Sequence, residues 1–303
     1  MAEWTKIGWC DMTFNLWIGC EEVSEGCRYC YAKRDARKYW PTMDLWGKGS
    51  SRKSLSEGYW RKLFSWNKKA ESLGRPLTVF VGSMCDIMEI HSNEKINQFM
   101  NSNRKRLYTA IEQTPNLIYL LLTKRPENYE KLLPREWTSA GYADIYNKLP
   151  EGAPIPSNVW LGCTMENQKN FDQRMPVMEW IARQFHAAGM FLSLEPLLGP
   201  INTTDWLYPN IENDEDHYIE NRVPDWIIVG GESGEFGKAR MMEIDYARRI
   251  IEDCKEAEVP VYFKQTGSAF AKYHQLNSDT GKDISEWPET LRIQQFPEIF
   301  GRS

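Results

Sequence analysis

The sequence has no apolar run that approaches the length needed to cross a bilayer. It also lacks the pattern of a signal peptide, because residues 1–6 are polar. We therefore expect a soluble, cytoplasmic protein with no membrane partner. The reducing conditions of that compartment make disulfides a weak explanation for its cysteines.

Three of the seven cysteines, Cys20, Cys27 and Cys30, lie close together with no fourth nearby. A structural zinc ion usually takes four protein ligands, whereas a four-iron cluster on three cysteines keeps one iron open to a substrate or cofactor. The spacing favours such a [4Fe-4S] cluster. A zinc site completed by a distant cysteine or histidine, and a coincidence without function, stay open as alternatives.

The other four cysteines, Cys10, Cys85, Cys163 and Cys254, are isolated in the sequence and are expected to be small buried hydrophobic residues. Three of them, Cys10, Cys85 and Cys163, lie near the ends of predicted strands. A fourth metal ligand among these three therefore remains possible.

The net charge of −5 conceals a basic stretch at residues 33–69, which carries +8 from eleven basic and three acidic residues. Aromatic residues and a glycine- and serine-rich run at 47–51 lie among these cations. Cations that meet phosphates and rings that stack on bases predict a nucleic-acid surface. The residues expected to form it are Arg34, Arg37, Lys38, Trp40, Trp46, Arg52 and Lys53. An amphipathic helix at 59–72 is the alternative, but it leaves residues 34–52 unexplained.

Six short β-rich runs alternate with helical patterns, which is typical of parallel β/α units. The runs are residues 77–81, 117–122, 158–162, 190–194, 226–229 and 259–263, with a seventh strand expected around 8–13. Helices are expected at 94–113, 167–188 and 244–257. For 303 residues with 42% hydrophobic content, this predicts a single α/β domain, a partial or complete (β/α) barrel with parallel strands.

Three segments lie outside this regular alternation. We expect a basic insertion at 33–69, an exposed acidic loop at 202–224 and a carboxyl-terminal extension at 268–303 that packs on the barrel. Residues 134–157, rich in proline and glycine, are expected to be a further surface excursion.

Each predicted strand ends abruptly in polar residues, and in a β/α barrel these ends meet at one mouth. We therefore expect the functional site there. The candidate catalytic residues are Cys85, Lys124, Glu195 and Lys264. The candidate cofactor-binding residues are Tyr29, Ser83, Asp86, Thr123, Glu166, Ser193, Gly230, Gly231 and Glu232. The two glycines would permit close approach of a ligand, and Glu232 could accept hydrogen bonds from an ammonium group.

The three-cysteine loop, with an aromatic residue before its last cysteine, resembles that of the radical S-adenosylmethionine (SAM) superfamily. The chain as a whole resembles a phage and prophage family of radical-SAM-like proteins. The matching segments are residues 19–32, 80–84, 121–126, 158–162, 195–200 and 225–234.

The resemblance implies a [4Fe-4S] cluster on Cys20, Cys27 and Cys30, with SAM bound to its open iron. One electron, from a reductant such as flavodoxin or ferredoxin, would cleave SAM to a 5′-deoxyadenosyl radical. By the same resemblance Tyr29 would lie beside the adenine, and Gly230, Gly231 and Glu232 beside the methionyl ammonium.

Two features depart from the superfamily pattern. The first gap in the cysteine motif is six residues rather than the usual three, and the Gly-Gly-Glu element follows a late strand rather than the second. Ser83 or Asp86 is therefore the alternative to Glu232 as partner of the ammonium.

The leading functional hypothesis is a radical enzyme that acts on a hypermodified thymine in phage DNA in the host cytoplasm, as an isomerase or mutase. A base in duplex DNA would have to be flipped out to reach the site. The alternatives are a lyase that repairs a thymine lesion, a radical enzyme acting on a free nucleoside or peptide, and a non-catalytic iron–sulfur protein that binds nucleic acid.

Overall fold

The computed structural model describes residues 4–138, 155–208, 211–214, 217–220, 222–234 and 237–302. Seven parallel strands form one sheet in the order β1-β2-β3-β4-β5-β8-β9, and the sheet curls into a half-barrel. These strands are β1 (Met12–Phe14), β2 (Leu77–Val81), β3 (Leu117–Thr123), β4 (Val159–Thr164), β5 (Gly189–Leu194), β8 (Trp226–Gly230) and β9 (Val261–Gln265). The predicted α/β partial barrel is confirmed.

Helices follow most of the strands and cover the outer face of the sheet. The longer ones are α1 (Tyr31–Tyr39), α3 (Lys62–Leu73), α4 (Glu94–Glu112), α7 (Gln168–Gln184) and α9 (Ile244–Glu256). The short ones are α2 (Glu57–Trp60), α5 (Tyr129–Leu132), α6 (Arg135–Thr138), α8 (Thr204–Leu207) and α10 (Ser268–Tyr273). Asn93 and Asn167 cap the amino termini of α4 and α7 by accepting backbone N–H bonds, which satisfies donors that a helix start leaves free.

Alternating side chains of each strand face two different cores. On β4, Leu161 and Cys163 pack outward among the residues beneath the helices, while Trp160 packs inside the half-barrel. Aromatic rings fill the inside near the strand starts, and the ring of Trp226 lies 5.3 Å from that of Phe300 between centroids. The carboxyl-terminal segment thus closes this end, and the site lies at the opposite one.

All six β-rich runs are strands of the sheet, with bounds shifted by no more than a few residues from those predicted. The strand expected around 8–13 is β1, which begins at Met12. The prediction of an acidic loop at 202–224 is wrong in part, because the segment has secondary structure of its own. It contains α8 and a small antiparallel hairpin of β6 (Ile211–Asp214) and β7 (His217–Glu220).

The excursion expected at 134–157 begins with α6, and its residues 139–154 lie outside the described part of the chain. The helix expected at 59–72 is two helices, α2 and α3, whose Trp60, Leu63 and Trp66 are buried. Among the described residues, no helix is long and apolar enough to cross a membrane.

Candidate functional site

A cavity of about 410 Å³ lies at the carboxyl ends of the parallel strands, where the polar residues were expected to meet. Most of the predicted site residues line it. They are Cys20, Cys27, Cys30, Tyr29, Ser83, Cys85, Asp86, Thr123, Lys124, Ser193, Glu195, Gly231, Glu232 and Lys264. Glu166 and Gly230 lie behind this wall and support residues that form it.

The cysteine loop follows β1 and contributes all three thiols of the motif to this cavity. All seven cysteines lie in the described residues and are free, so no disulfide competes for them. Cys10 packs at the closed end, Cys163 faces the helices and Cys254 lies in α9. Cys85 alone of these four lines the cavity, so it is the remaining candidate for a fourth thiol ligand.

Glu166 anchors the cysteine loop from below. Its side chain is fully buried and accepts hydrogen bonds from Ser24 at 2.5 Å and from Arg174 at 2.8 Å, and it forms an ion pair with Lys124 at 3.1 Å. A Cβ on Gly26 would lie 2.4 Å from its Oε1, so only glycine lets the loop pass this close. Glu166, predicted to bind a cofactor, therefore contacts the loop that carries the thiols.

The Glu166 charge is stabilised by its cations. Burial by itself raises the pKa of this carboxyl, but Lys124 and Arg174 overcome that effect and hold the pKa below its usual value. For Lys124 burial lowers the pKa, and the neighbouring Glu166 and Cys27 raise it above its usual value. Lys124 is thus a charged ammonium beside Cys27 at the cavity wall.

Asp86 and Arg125 form a second support. Arg125 donates one hydrogen bond to Asp86 at 2.8 Å and another to the backbone oxygen of Glu21 in the cysteine loop at 2.8 Å. Asp86 also accepts bonds from Thr123 and from the backbone of Lys124. Burial opposes ionisation of Asp86, yet Arg125 and these donors hold its pKa below the usual value. Both carboxylate oxygens of Asp86 are therefore already engaged by donors of the protein.

Cys20, Cys27 and Cys30 lie on one loop and line the cavity, so they are the residues that could hold a metal centre there. Among the described residues, no group of three His, Cys, Asp or Glu side chains is already placed to hold one metal ion. Burial raises the pKa of the Cys20 and Cys30 thiols, so metal binding must displace their protons.

Glu232 already has a cationic partner. The Nε of Arg240 donates to its Oε2 at 3.0 Å, and the backbone N–H of Arg240 donates to the same oxygen at 2.8 Å. Arg240 also donates to the backbone oxygen of Glu25 at 3.0 Å and lies 5.4 Å from the centroid of the Tyr29 ring. This arginine, which no sequence pattern marked, joins the end of β8 to the cysteine loop.

Packing inside the protein accounts for the two glycines before Glu232. A Cβ on Gly231 would lie 2.2 Å from the backbone oxygen of Thr266, and one on Gly230 would lie 2.6 Å from Glu195 Oε1. The backbone N–H of Gly231 donates to Gln265, and its oxygen accepts from the Gln265 side chain. The close approach at Gly231 is therefore to β9 and its following loop.

Glu195 and Lys264 form an ion pair of 3.0 Å on the cavity wall, from the ends of β5 and β9. Both side chains are largely buried, at 12% and 22% exposure, so the pair is shielded from solvent. Nearby, burial raises the pKa of Cys85 to about 12, so this thiol stays protonated at neutral pH. It is therefore able to donate hydrogen rather than to act as a thiolate.

Apolar residues form the inner part of the cavity. Ile7, Trp9, Phe80 and Leu122 line it from the side of the aromatic core. Tyr31 also lines the cavity and donates a hydrogen bond to the backbone oxygen of Ser83 at 2.9 Å. Flat rings and polar groups at opposite ends suit a ligand with a planar ring.

The predicted nucleic-acid residues fall into two groups. Arg34, Arg37 and Lys38 are exposed on α1, which starts directly after Cys30. Lys53 is partly exposed and stacks on Trp40 at 5.8 Å. Trp40 and Trp46 are half-buried against Ile18, Ala36 and Leu45.

The expectation for Arg52 is wrong. Its side chain is fully buried in an ion pair with Glu89, because the chain folds inward there, so it offers no donor to a phosphate. A lone arginine in a basic, glycine-rich stretch gave no sign of this partner, which lies far away in the sequence.

Comparison with known proteins identifies the family. A family model described as "Protein of unknown function (DUF5131)" matches residues 4–289, and the chain belongs to this family. No curated protein and no solved structure matches the chain.

Proposed function

We propose that this member of the DUF5131 family is a radical SAM enzyme that carries a [4Fe-4S] cluster on Cys20, Cys27 and Cys30. The supporting observation is that one loop brings three thiols, with no disulfide among them, to a cavity at the carboxyl end of a parallel half-barrel. Catalytic sites of β/α barrels lie at this end. Many kinds of enzyme share this fold, and the three cysteines are the reason for proposing radical SAM chemistry among them.

When bound, the cluster and SAM would supply a carbon-centred radical that removes a hydrogen atom from the substrate. The residues of the chain hold and shield that chemistry. Glu166 and Arg125 fix the cysteine loop from two sides. Tyr29 would support the adenine, and Glu232 would accept the methionyl ammonium in exchange for part of its contact with Arg240.

The substrate would enter against the apolar inner residues of the cavity, with Glu195 and Lys264 beside it. We propose a hypermodified thymine in phage DNA as this substrate, and an isomerase or mutase reaction. A planar base would lie against the surface that the contacting rings of Trp9 and Phe80 present to the cavity, and a polar substituent would meet the Glu195–Lys264 pair. Cys85, a protonated thiol that also lines the cavity, would give its hydrogen atom to the rearranged substrate radical. One electron from the flavodoxin or ferredoxin reductant and a proton would then restore the thiol from its thiyl radical.

The exposed cations of α1 support a polymeric substrate. Arg34, Arg37 and Lys38 extend from the last cysteine of the motif, so a phosphate held by them would lie near the cavity entrance. A radical reacts only with what touches the cofactor. A nucleic-acid contact this close to the thiols would deliver a flipped base to the site.

Anaerobic reconstitution with iron and sulfide tests the proposal. Iron content is measured first, and then 5′-deoxyadenosine is assayed after adding SAM and a flavodoxin or ferredoxin reductant. About four irons per chain, with 5′-deoxyadenosine formed and increased by phage DNA, is the expected result. Zinc without iron would reject the cluster, while stimulation by a free nucleoside but not by DNA would favour the small-substrate alternative.

A further inference from the structure

We propose that Arg52 is a positioning residue for Cys20, and that residues 45–53 brace the cysteine loop instead of binding DNA. The inference rests on the proposed function in one respect, that Cys20 is a cluster ligand. Four sets of contacts carry it.

The first set joins the brace to the backbone of Cys20. The Cys20 N–H donates to Leu45 at 3.2 Å, and the Cys20 oxygen accepts from the Gly47 N–H at 2.9 Å. Ile18 and Lys53 exchange a pair of backbone hydrogen bonds at 3.0 and 2.9 Å. The brace therefore runs beside the chain that carries the first thiol and satisfies both backbone groups of Cys20.

The second is the closeness of Gly19 to the brace. Its φ of +122° lies where side chains are disfavoured, and a Cβ there would lie 2.5 Å from the Leu45 oxygen and 3.1 Å from the Arg52 side chain. The cysteine loop and the brace are thus in backbone contact at the residue before Cys20.

The third is the anchoring of the brace by Arg52. Its Nε donates to Glu89 at 3.1 Å and its Nη2 donates to the other oxygen of the same carboxylate. Its Nη1 donates to the backbone oxygens of Ser50 and Ser51 at 2.9 and 3.0 Å. The side chains of Arg52 and Glu89 are 0% and 1% exposed, so this contact lies wholly inside the protein.

In the fourth set, Arg104 holds Glu89 and His91 holds the brace. Arg104 of α4 donates to the backbone oxygen of Glu89. The Asn93 N–H donates to His91 Nδ1 at 2.9 Å, which leaves the proton on Nε2, and Nε2 donates to the Ser50 oxygen at 3.0 Å. The brace has no regular secondary structure of its own, so these side chains set its position.

A buried ion pair is weak evidence for stability, since apolar residues of similar volume often serve as well. What an apolar pair cannot reproduce is the set of fixed donors to two consecutive carbonyls and one carboxylate. Replacing both partners should therefore leave the fold intact but loosen the brace, and with it Cys20.

Metal-free full-length protein provides a test that does not depend on cluster loading. The double variant Arg52→Met/Glu89→Met avoids a buried unpaired charge. Its Cys20 and Cys30 are alkylated with a maleimide, and each rate is followed by peptide mass spectrometry. We expect the Cys20 rate to rise about tenfold relative to Cys30, because the brace opens more easily without the hydrogen bonds from Arg52 to the Ser50 and Ser51 carbonyls.

Met178→Ala is the matched control, because it removes buried volume from α7 and destabilises the protein while leaving Arg52, Glu89 and residues 45–53 unchanged. It should leave the ratio of the two alkylation rates unchanged. An unchanged ratio in the double variant, or the same change in Met178→Ala, would overturn the inference.

Reconstitution separates this inference from the proposed function. If the parent binds no iron, the cluster proposal fails while the alkylation result still decides whether Arg52 positions Cys20. If the parent binds about four irons, the double variant should lose iron faster on exposure to a chelator than Met178→Ala does.

Discussion

Arg240 occupies both carboxylate oxygens of Glu232 while also donating to the backbone of Glu25 in the cysteine loop. An ammonium that uses Glu232 must therefore compete with a guanidinium already in place. Hydrogen bonding to Glu232 raises the pKa of Arg240, so Arg240 stays charged and keeps competing for the carboxylate. Ligand binding at Glu232 would require a shared carboxylate or a displaced arginine.

The first prediction follows from that competition. Glu232→Ala should weaken SAM binding to the reconstituted protein by about tenfold, within the range for a charge-assisted hydrogen bond. Arg240→Ala should bind SAM at least as tightly as the parent, because it frees the carboxylate. Equilibrium dialysis of both variants measures the affinity for SAM. If both substitutions weaken SAM binding equally, the Glu232–Arg240 pair has a structural role and does not compete with the ligand.

The second prediction concerns which thiols bind iron. Changing Cys27 to Ser should reduce the iron of the reconstituted protein well below about four per chain, because a cluster needs each of its three thiolates. Cys85→Ser should keep the parent's iron content, while losing product formation, because this thiol is proposed to return hydrogen. Loss of iron in Cys85→Ser would instead make Cys85 a fourth ligand.

The fold was largely predictable because parallel strands buried on both faces are nearly continuous apolar runs. Residues 77–81 and 117–122 have this pattern, and both are central strands of the half-barrel. The segment at 202–224 was not, since its charged residues gave no alternation strong enough to indicate β6 and β7. Short hairpins depend on local turn geometry more than on burial.

The location of the candidate site was predictable from the sequence, but the ion pairs among its charged side chains were not. The polar residues after each strand line one cavity because parallel strands end on one edge. Which charges neutralise each other depends on the folded chain, and Arg52, a candidate for phosphate, pairs with Glu89 instead. Arg240 lay in no pattern at all, although it holds Glu232.

The third prediction is a pH dependence of stability set by Glu166. Its pKa is lower in the folded protein than the usual value of 4.5, so its contribution is complete above that value and is lost as the pH falls through the folded pKa. Urea unfolding of metal-free protein should therefore show stability falling between about pH 5 and pH 3. Glu166→Gln should flatten this fall.

The same variant should also be less stable at neutral pH by about 3–5 kcal/mol, because it leaves Lys124 and Arg174 without their anion. Asp245→Asn, which removes an exposed partner of Arg248, is the control and should follow the parent curve. If the stability of Glu166→Gln falls with pH as steeply as that of the parent, other carboxylates cause the acid sensitivity.

The last prediction concerns the cations of α1. If Arg34, Arg37 and Lys38 contact phosphates, replacing all three with Ala should reduce the slope of log binding constant against log salt by roughly 2 to 3. The control replaces Lys95, Lys105 and Lys131, exposed on α4 and α5, which changes the net charge equally on a different surface. Fluorescence anisotropy with labelled duplex DNA across about 50–200 mM salt gives both slopes.

Equal slopes for the two triple variants would show that only net charge matters. A parent that binds no DNA would leave α1 as a solvated face, and the free-nucleoside substrate would then become the leading proposal.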